Sequence, residues 1–329
     1  MQHTFNGVTY TIGKEISMDI ITIDKLHGML LGLAVGDALG TTNEFKKNPT
    51  PITDMVGGGP FNLEVGQWTD DTSLAICLAD SLIECGGFNP HDQMLRYVEW
   101  YKKGHNSVNG TCFDIGGTTA NALDKFIVTG NPYSGNNMNT SAGNGSLMRL
   151  APIVIFYHSS VELVIKYAEL SSATTHPAPA AVDACKYFAQ LLINIIYNPH
   201  LTKIELFNHD FMHDDFCKPI ENVSLYDYYK FNKHDLEPTG YVVDSLICAL
   251  YCFYNTDNFK DGCLMAANLG GDADTIAAIY GQLAGTFYGK SGIPQEWLNK
   301  LAWYDQIDER VRHLYTVGNQ NLTYVRGVY

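Results

Sequence analysis

Two short stretches of the chain combine carboxylate and hydroxyl side chains in a pattern that suits a bound cation. The first, residues 69–73 (TDDTS), comes directly before an apolar helical run at 74–82. Such residues are common at helix starts, because they cap free backbone N–H groups and because the helix dipole attracts negative charge. A cap uses one or two of them, and this stretch supplies more. The stretch is therefore either an elaborate cap or a site for a hard cation.

The same combination returns towards the other end of the chain. Residues 270–275 (GGDADT) lead into the apolar run 276–284. Carboxylate and hydroxyl oxygens suit Mg²⁺, Mn²⁺ or Ca²⁺ rather than zinc. If the two stretches converge in space, they can hold a pair of ions ~3.5–4 Å apart, the spacing typical of two-metal catalysis. Together, the two stretches favour a metal site.

The element that precedes the first stretch is predicted to be a helix over residues 24–40, with Asp24 as its N-cap. Glycine recurs at every fourth position from 28 to 40. Each glycine costs a helix up to ~1 kcal/mol relative to alanine, so a face of glycines indicates that a helix backbone or a ligand packs very close. Asp37 and Glu44 lie among small and apolar residues, which favours a functional role over surface charge.

The remaining pattern predicts an all-α fold that forms a compact single domain. Residues 1–22 stand apart, because alternation around Asn6-Gly7 predicts a short β-hairpin as an N-terminal extension to the domain 23–329. The long polar loop 131–146 is expected to be functional, since such loops are uncommon in compact domains. Further helical runs are predicted at 88–104, 241–254, 259–269, 275–288 and 294–301.

Composition and charge limit the classes of function. The chain has 329 residues, of which 46% are apolar and 17% charged, as in an ordinary globular protein with a large core. A net charge of −14, with no basic cluster beyond a lysine pair, argues against nucleic acid as a partner. We expect a soluble, cytoplasmic protein without membrane contact, because no bilayer-spanning run and no signal peptide are visible. The eight cysteines lack metal-binding spacing and are expected to be buried, reduced thiols.

Two histidine-containing segments leave their roles open. His176 stands in the sequence TTHP between two helical runs, where it is either structural or part of a pocket. Residues 209–213 form an HxxxH pattern with acidic neighbours. This pattern fits either a metal site or a solvated acidic loop, and we favour the loop because no apolar frame surrounds it.

Five blocks of the sequence, taken together, resemble a known family. They are GDALGTTNE at 36–44, GQWTDDT at 66–72, GNGSLMR at 143–149, THP at 175–177 and GGDADT at 270–275. In this order and spacing they resemble the ADP-ribosylglycohydrolases, most of all the bacterial branch typified by dinitrogenase reductase-activating glycohydrolase. The resemblance covers about residues 24–290, and residues 1–22 and the polar tract around 198–235 show no family pattern.

The resemblance implies an enzyme that removes ADP-ribose from modified protein side chains, with two Mg²⁺ (or Mn²⁺) ions that hold the distal ribose. The metal ligands that it implies are Thr69, Asp70, Asp71, Asp272, Asp274 and Thr275. The catalytic residues that it implies are Glu44, Asp71 and Asp114. The substrate-binding residues that it implies are Gly116, Gly117, Asn144, Gly145, Ser146 and His176.

The segment CFDIG at 112–116 also resembles that branch. Its Asp114 bears on the substrate, because the arginine-directed branch carries a carboxylate in this segment and a carboxylate pairs bidentately with guanidinium. The resemblance therefore favours ADP-ribosyl-arginine over ADP-ribosyl-serine. Two alternatives stay open: a two-metal hydrolase of another ADP-ribosylated substrate, such as ADP-ribosyl-serine, and a binding protein. The binding protein would recognise ADP-ribose or neutralise a cognate ADP-ribosyltransferase or toxin, with residues 1–22 as an occluding arm.

Overall fold

The computed structural model describes residues 2–5, 8–207, 215–225 and 232–326, and most of these are helical. The predicted all-α class is confirmed. The helices within the described residues are α1 Ile12–Gly40, α2 Asp70–Cys85, α3 Pro90–Lys103, α4 Gly117–Thr129, α5 Ala151–Tyr157, α6 Val161–Ala173, α7 Pro179–Tyr197, α8 Lys203–Phe207, α9 Lys218–Leu225, α10 Val242–Tyr254, α11 Phe259–Ala267, α12 Ala273–Tyr288, α13 Gln295–Lys300 and α14 Tyr304–Arg326.

The start of the chain agrees with one expectation and corrects another. Strands β1 (Gln2–Phe5) and β2 (Val8–Thr11) pair antiparallel, as the alternation predicts. The expected helix start at Asp24 is wrong, because α1 begins at Ile12. The Asp24 carboxylate instead accepts hydrogen bonds from the backbone N–H and the hydroxyl of Ser291, at 3.1 and 2.7 Å. Asp24 therefore ties α1 to the loop after α12, and the division of the chain at residue 22 stays a prediction.

The glycine face of α1 packs directly on the backbone of α12. A Cβ added to Gly32 would lie 2.2 Å from the carbonyl oxygen of Gly281, and one added to Gly281 would lie 1.9 Å from that of Gly32. Interiors are close-packed, so neither position has room for a side chain. The predicted close neighbour of the glycines is thus a helix backbone.

This contact brings the end of α1 to the start of α12. The two helices run antiparallel, because Gly28 lies against the far end of α12 whereas Gly40 lies against Ala273, its first residue. The start of α2 joins them, since the backbone N–H of Thr69 donates to the carboxylate of Asp37 on α1 at 2.8 Å. Two helix starts and one helix end therefore meet at one place.

A small apolar cluster holds α3 and α4 against α2. Its fully buried members are Leu74, Cys77, Met94, Tyr97, Trp100 and Leu123. Burying aromatic and aliphatic side chains of this size stabilises the contact by roughly 1.5–3 kcal/mol each. The cluster thereby fixes α4 with its first residues, Gly117 to Thr119, facing the same cavity as the start of α2.

Three further expectations concern thiols, membranes and the HxxxH pattern. All eight cysteines are free thiols and five of them are buried, although Cys85 is exposed. Among the helices that the structure describes, none is long and apolar enough to cross a membrane. The HxxxH pattern at 209–213 lies outside the described residues.

Candidate active site

The two oxygen-rich stretches meet at the starts of α2 and α12. The six predicted ligands are the capping and first-turn residues of these helices: Thr69, Asp70, Asp71, Asp272, Asp274 and Thr275. Thr69 Oγ1 lies 3.1 Å from Asp71 Oδ2 and 3.2 Å from Asp274 Oδ2. Thr275 Oγ1 lies 3.4 Å from Asp71 Oδ2. Side chains from distant parts of the sequence thus form a single cluster.

The cluster carries negative charge that its described neighbours leave unbalanced. Three carboxylate oxygens, one from each of Asp37, Asp71 and Asp274, lie within 4.8 Å of one another. Among the described residues that line the adjoining cavity there is no lysine or arginine. Oδ1 of Asp71 and Oδ1 of Asp274 are buried and have no hydrogen-bond partner in the described part of the chain. Burial raises the pKa of Asp71 and of Asp274 well above the usual range, and neighbouring carboxylates raise both further.

An oxygen-only donor set of this kind fits Mg²⁺ or Mn²⁺. Hard cations prefer carboxylate and hydroxyl oxygens, whereas zinc sites are built from cysteine and histidine. Buried carboxylate oxygens without partners are costly, and a divalent cation among them would offset that cost. The cluster is therefore a candidate metal site, and the ligand role of each residue stays a prediction.

Glu44 and Asp114 form a second carboxylate pair beside this cluster. One oxygen of each lies within 4.8 Å of the other and of an oxygen of Asp274. Glu44 is 3% exposed, and burial, followed by the charge of Asp114, raises its pKa to about 10. Burial also raises the pKa of Asp114, to about 7. Both side chains line the cavity, so this pair can exchange protons with a bound substrate.

The cluster forms one wall of a cavity of about 310 Å³. Gly116 and Gly117, at the start of α4, and Asn144 and Gly145, in the loop before α5, line other parts of it. The amide of Asn144 donates to Oδ2 of Asp272 at 2.6 Å. The glycine-rich loop is thus tied directly to the carboxylate cluster.

His176 is one of the residues that line this cavity, whereas Ser146 is not among the described lining residues. His176 is 2% exposed and its Nδ1 is 2.8 Å from Oγ1 of Thr175. Burial, followed by the charge of Arg149, lowers the pKa of His176 to about 3, so the ring is neutral. The hydroxyl of Ser172 donates to Oγ of Ser146 at 2.8 Å, and Ser146 is absent from the described lining residues. The substrate-binding role of Ser146 stays a prediction.

Sequence reasoning assigned no role to several residues that shape the cavity. Those that line it are Phe45, Ile115, Thr118, Thr119, Met148 and Gly240. Arg149 lies beneath the loop, where it donates to the carbonyl of Gly145 and, at 2.7 Å, to Oγ1 of Thr175. Its guanidinium also lies 4.7 Å from the centre of the Tyr97 ring. In the sequence, the feature that could have indicated this role is Arg149 itself, a single charged residue within the otherwise apolar run 147–156.

Comparisons with known proteins identify a family and individual relatives of the chain. The profile of the ADP-ribosylglycohydrolase family matches residues 18–322. The chain is 39% identical over 303 residues to "ADP-ribosylarginine hydrolase Tri1" of Serratia proteamaculans, covering 89% of this chain and 80% of the relative. It is 29% identical over 289 residues to "ADP-ribosyl-[dinitrogen reductase] glycohydrolase" of Rhodospirillum rubrum, covering 84% of this chain and 90% of the relative.

The fold agrees as well. A solved structure described as an ADP-ribosylglycohydrolase-related protein complex matches with a TM-score of 0.78 and 37% identity, covering 90% of this chain and 99% of the other. The family profile spans well over half of the chain, and 39% identity over most of the Serratia relative indicates common descent. The chain therefore belongs to the ADP-ribosylglycohydrolase family and is a glycohydrolase, as its sequence blocks predict.

Proposed function

We propose that this protein hydrolyses the N-glycosidic bond that joins ADP-ribose to an arginine side chain of a modified protein. The observation that carries the proposal is Asp114, whose carboxylate lines the cavity beside Glu44 and Asp274. A carboxylate in that place can accept two parallel hydrogen bonds from a guanidinium. The name of the Serratia relative, an ADP-ribosylarginine hydrolase, supports the same substrate.

The carboxylate cluster would hold two Mg²⁺ (or Mn²⁺) ions. The proposed ligands are Thr69, Asp70, Asp71, Asp272, Asp274 and Thr275. When bound, such ions hold the hydroxyls of the distal ribose and stabilise the charge that develops as the bond to C1″ breaks. The unpartnered oxygens of Asp71 and Asp274 support this assignment.

Cleavage requires a proton for the departing guanidine nitrogen and a base for the attacking water. Asp114 and Glu44 are the carboxyl groups placed to supply these functions, since their oxygens lie within 4.8 Å of each other and both line the cavity. We assign the base to Asp114, which has the lower pKa of the two and as a carboxylate also accepts from the guanidinium N–H groups, and the proton donor to Glu44, which burial keeps protonated. Asp71 is proposed to assist from the metal site, where Oγ1 of Thr69 and Oγ1 of Thr275 lie 3.1 and 3.4 Å from its Oδ2.

The glycine-rich walls are suited to the diphosphate. Gly116 and Gly117 stand at the start of α4, where free backbone N–H groups and the helix dipole attract anions. Among the described residues, nothing lies within 4 Å of a Cβ added to either glycine, so packing does not require glycine there. Their small size instead leaves the cavity open to a ligand. Asn144, Gly145 and His176 line the same cavity, and together with Ser146 they are proposed to bind the substrate.

The experiment that tests the function is the release of ADP-ribose from an arginine-ADP-ribosylated protein, with Mg²⁺ and with EDTA, beside a serine-linked substrate. Metal-dependent release from arginine alone is the expected result. Release from serine as well would contradict the specificity argument based on Asp114. Binding of ADP-ribose without release from either substrate would indicate a binding protein instead of an enzyme that acts on these linkages.

Three further properties stay predictions: a modified protein as substrate, a cognate ADP-ribosyltransferase or toxin as partner, and a cytoplasmic location. The same release assay bears on the toxin, because adding a cognate transferase would show whether this protein reverses its modification. Residues 1–22 are the segment to delete when testing whether any protection depends on occlusion rather than on hydrolysis.

A further inference from the structure

Phe45 is an exposed aromatic residue at the edge of the active-site cavity. It lines the cavity directly after Glu44, yet 67% of its surface is accessible. Its φ of 60° is left-handed, a conformation that costs a residue with a side chain roughly 1–2 kcal/mol. An exposed phenylalanine in a strained conformation adds little to the core, so core packing does not explain its position.

The backbone around Phe45 is held against the loop that carries Asp272. The N–H of Phe45 donates to the carbonyl of Gly271 at 2.6 Å, and the N–H of Gly271 donates to the carbonyl of Lys46 at 3.0 Å. A Cβ added to Gly270 would lie 2.1 Å from the carbonyl oxygen of Lys46, so the two loops are in contact. The position of Phe45 is therefore fixed relative to the carboxylate cluster.

Phe45 belongs to a row of three rings that we call the aromatic rim, formed by Phe45, Phe61 and Phe113. The ring centres of Phe45 and Phe61 are 6.4 Å apart with an interplanar angle of 75°, and those of Phe61 and Phe113 are 5.1 Å apart at 56°. Phe45 directly follows Glu44, and Phe113 directly precedes Asp114. Phe45 lines the cavity, and Phe61 connects its ring to that of Phe113 in the loop that carries Asp114.

We propose that the aromatic rim is the subsite for the arginine side chain of the modified protein, and that Phe45 determines specificity for it. This inference rests on the proposed function. A guanidinium is a planar, weakly hydrated cation that stacks on aromatic faces and pairs with carboxylates through its N–H groups. At this edge of the cavity, the exposed ring of Phe45 offers the stacking contact, and the carboxylates of Glu44 and Asp114 offer the paired hydrogen bonds. A serine linkage has no planar, charged group, so neither contact would stabilise it.

The adenine ring of the substrate is the other aromatic group that Phe45 could meet. Adenine lies beyond the diphosphate from the distal ribose. The candidate diphosphate walls include Gly116, Gly145 and His176, whereas Phe45 adjoins Glu44, next to the cluster proposed for the distal ribose. The arginine end of the substrate is therefore the part that reaches Phe45.

The experiment compares Phe45→Leu and Phe45→Tyr in the full chain with Mg²⁺, using the free amino-acid conjugate ADP-ribosyl-arginine as substrate. Leucine keeps apolar bulk without an aromatic face, while tyrosine keeps the face, and both meet the same backbone conformation. Ile127→Ala is the matched control, because Ile127 is an exposed apolar residue of α4 outside the described lining residues. The measurements are kcat, KM and the Kd of ADP-ribose by calorimetry.

Phe45→Leu is expected to raise KM about 2–30-fold, the range of a cation–π contact, with kcat little changed. Phe45→Tyr should restore the wild-type KM, and the Kd of ADP-ribose should be the same in all variants because this ligand has no guanidinium. An unchanged KM in Phe45→Leu would overturn the inference. So would a matching loss of ADP-ribose affinity, which would place adenine on the ring. If the wild-type protein releases nothing from arginine, the proposed function itself fails, and this result is seen before any variant is made.

Discussion

Asp37 and Thr69 are joined by two hydrogen bonds that determine which way the threonine hydroxyl faces. Oδ1 of Asp37 accepts from the backbone N–H of Thr69 at 2.8 Å and from its hydroxyl at 2.9 Å. The hydroxyl has one proton, yet oxygens of Asp71 and Asp274 also lie within 3.2 Å of it. When the Thr69 hydroxyl donates its hydrogen bond to Asp37, the lone pairs of Oγ1 face the carboxylates of Asp71 and Asp274. This is the orientation that a shared cation needs.

Asp37→Asn is therefore expected to weaken Mg²⁺ binding by about 10–100-fold, as is typical when the partner of a metal ligand is lost. Oδ2 of Asp37 also accepts from the N–H and hydroxyl of Thr72, at 3.0 and 2.6 Å, so one amide oxygen can serve only one of the two threonines. Titration calorimetry with Mg²⁺ measures the affinity. Asp124→Asn, at an exposed position on α4, is the matched control. Equal affinities for the two variants would contradict the prediction.

Removing the metal should destabilise the wild-type protein, because the buried carboxylates then repel one another without compensation. Mg²⁺ at about 100 times its Kd is expected to add about 2.7 kcal/mol per bound ion to the free energy of unfolding, and EDTA should abolish this gain. Asp274→Asn should behave in the opposite way: more stable than wild type in EDTA, since it removes one buried charge, and less responsive to Mg²⁺. Scanning calorimetry of both proteins in both buffers measures this. If the melting temperature of the wild type is the same with Mg²⁺ and with EDTA, the expectation is wrong.

Asn144→Asp is expected to lower kcat/KM for arginine-linked substrate by roughly 10–100-fold, the usual effect of losing a contact that orients a ligand. The amide of Asn144 donates to Asp272 at 2.6 Å and to the Ser245 hydroxyl at 2.8 Å. An aspartate there would place two carboxylates face to face and push the loop away from the cluster. Asn136→Asp makes the same chemical change at an exposed position of the 131–146 loop. Comparable rates in the two variants would show that the Asn144 contact does not position the site.

Local patterns in the sequence were sufficient to predict much of this arrangement. Carboxylates and threonines at two helix starts predicted a cation site, and the structure brings both starts together. The glycine face of α1 predicted a close neighbour, and α12 provides it. In both cases the evidence lies within a few consecutive residues, because helix capping and helix periodicity are local properties.

The features that were missed depend on contacts between residues far apart in the chain. Asp24 pairs with Ser291 and so does not cap a helix, and α1 continues back to Ile12. Phe45 is exposed because of a turn that Gly271 holds in place. No spacing rule indicates such pairings, since tertiary packing selects them.

His176 should make the protein acid-sensitive. Its pKa in the folded state, about 3, lies below the unfolded value of about 6.5, because burial disfavours the charged ring. As the pH falls below 6.5 the unfolded chain binds this proton while the folded protein does not. The stability that the neutral ring contributes is thus fully present above pH 6.5 and declines as the pH drops towards 3, by about 1.4 kcal/mol per pH unit.

The measurement for His176 is urea unfolding of the wild type and His176→Gln at about pH 7.5, 6.5, 6.0 and 5.0, which covers both sides of the unfolded pKa. Glutamine does not titrate, so every other group cancels in the difference between the two proteins. We expect wild type to lose stability relative to the variant as the pH falls from 6.0 to 5.0, and the difference to be nearly constant between pH 7.5 and 6.5. A difference that stays constant down to pH 5.0 would mean that the ring accepts a proton inside the fold. In that case His176 could carry a charge beside the diphosphate walls of the cavity, and its role in binding would have to be reassigned from a neutral wall to a cationic contact.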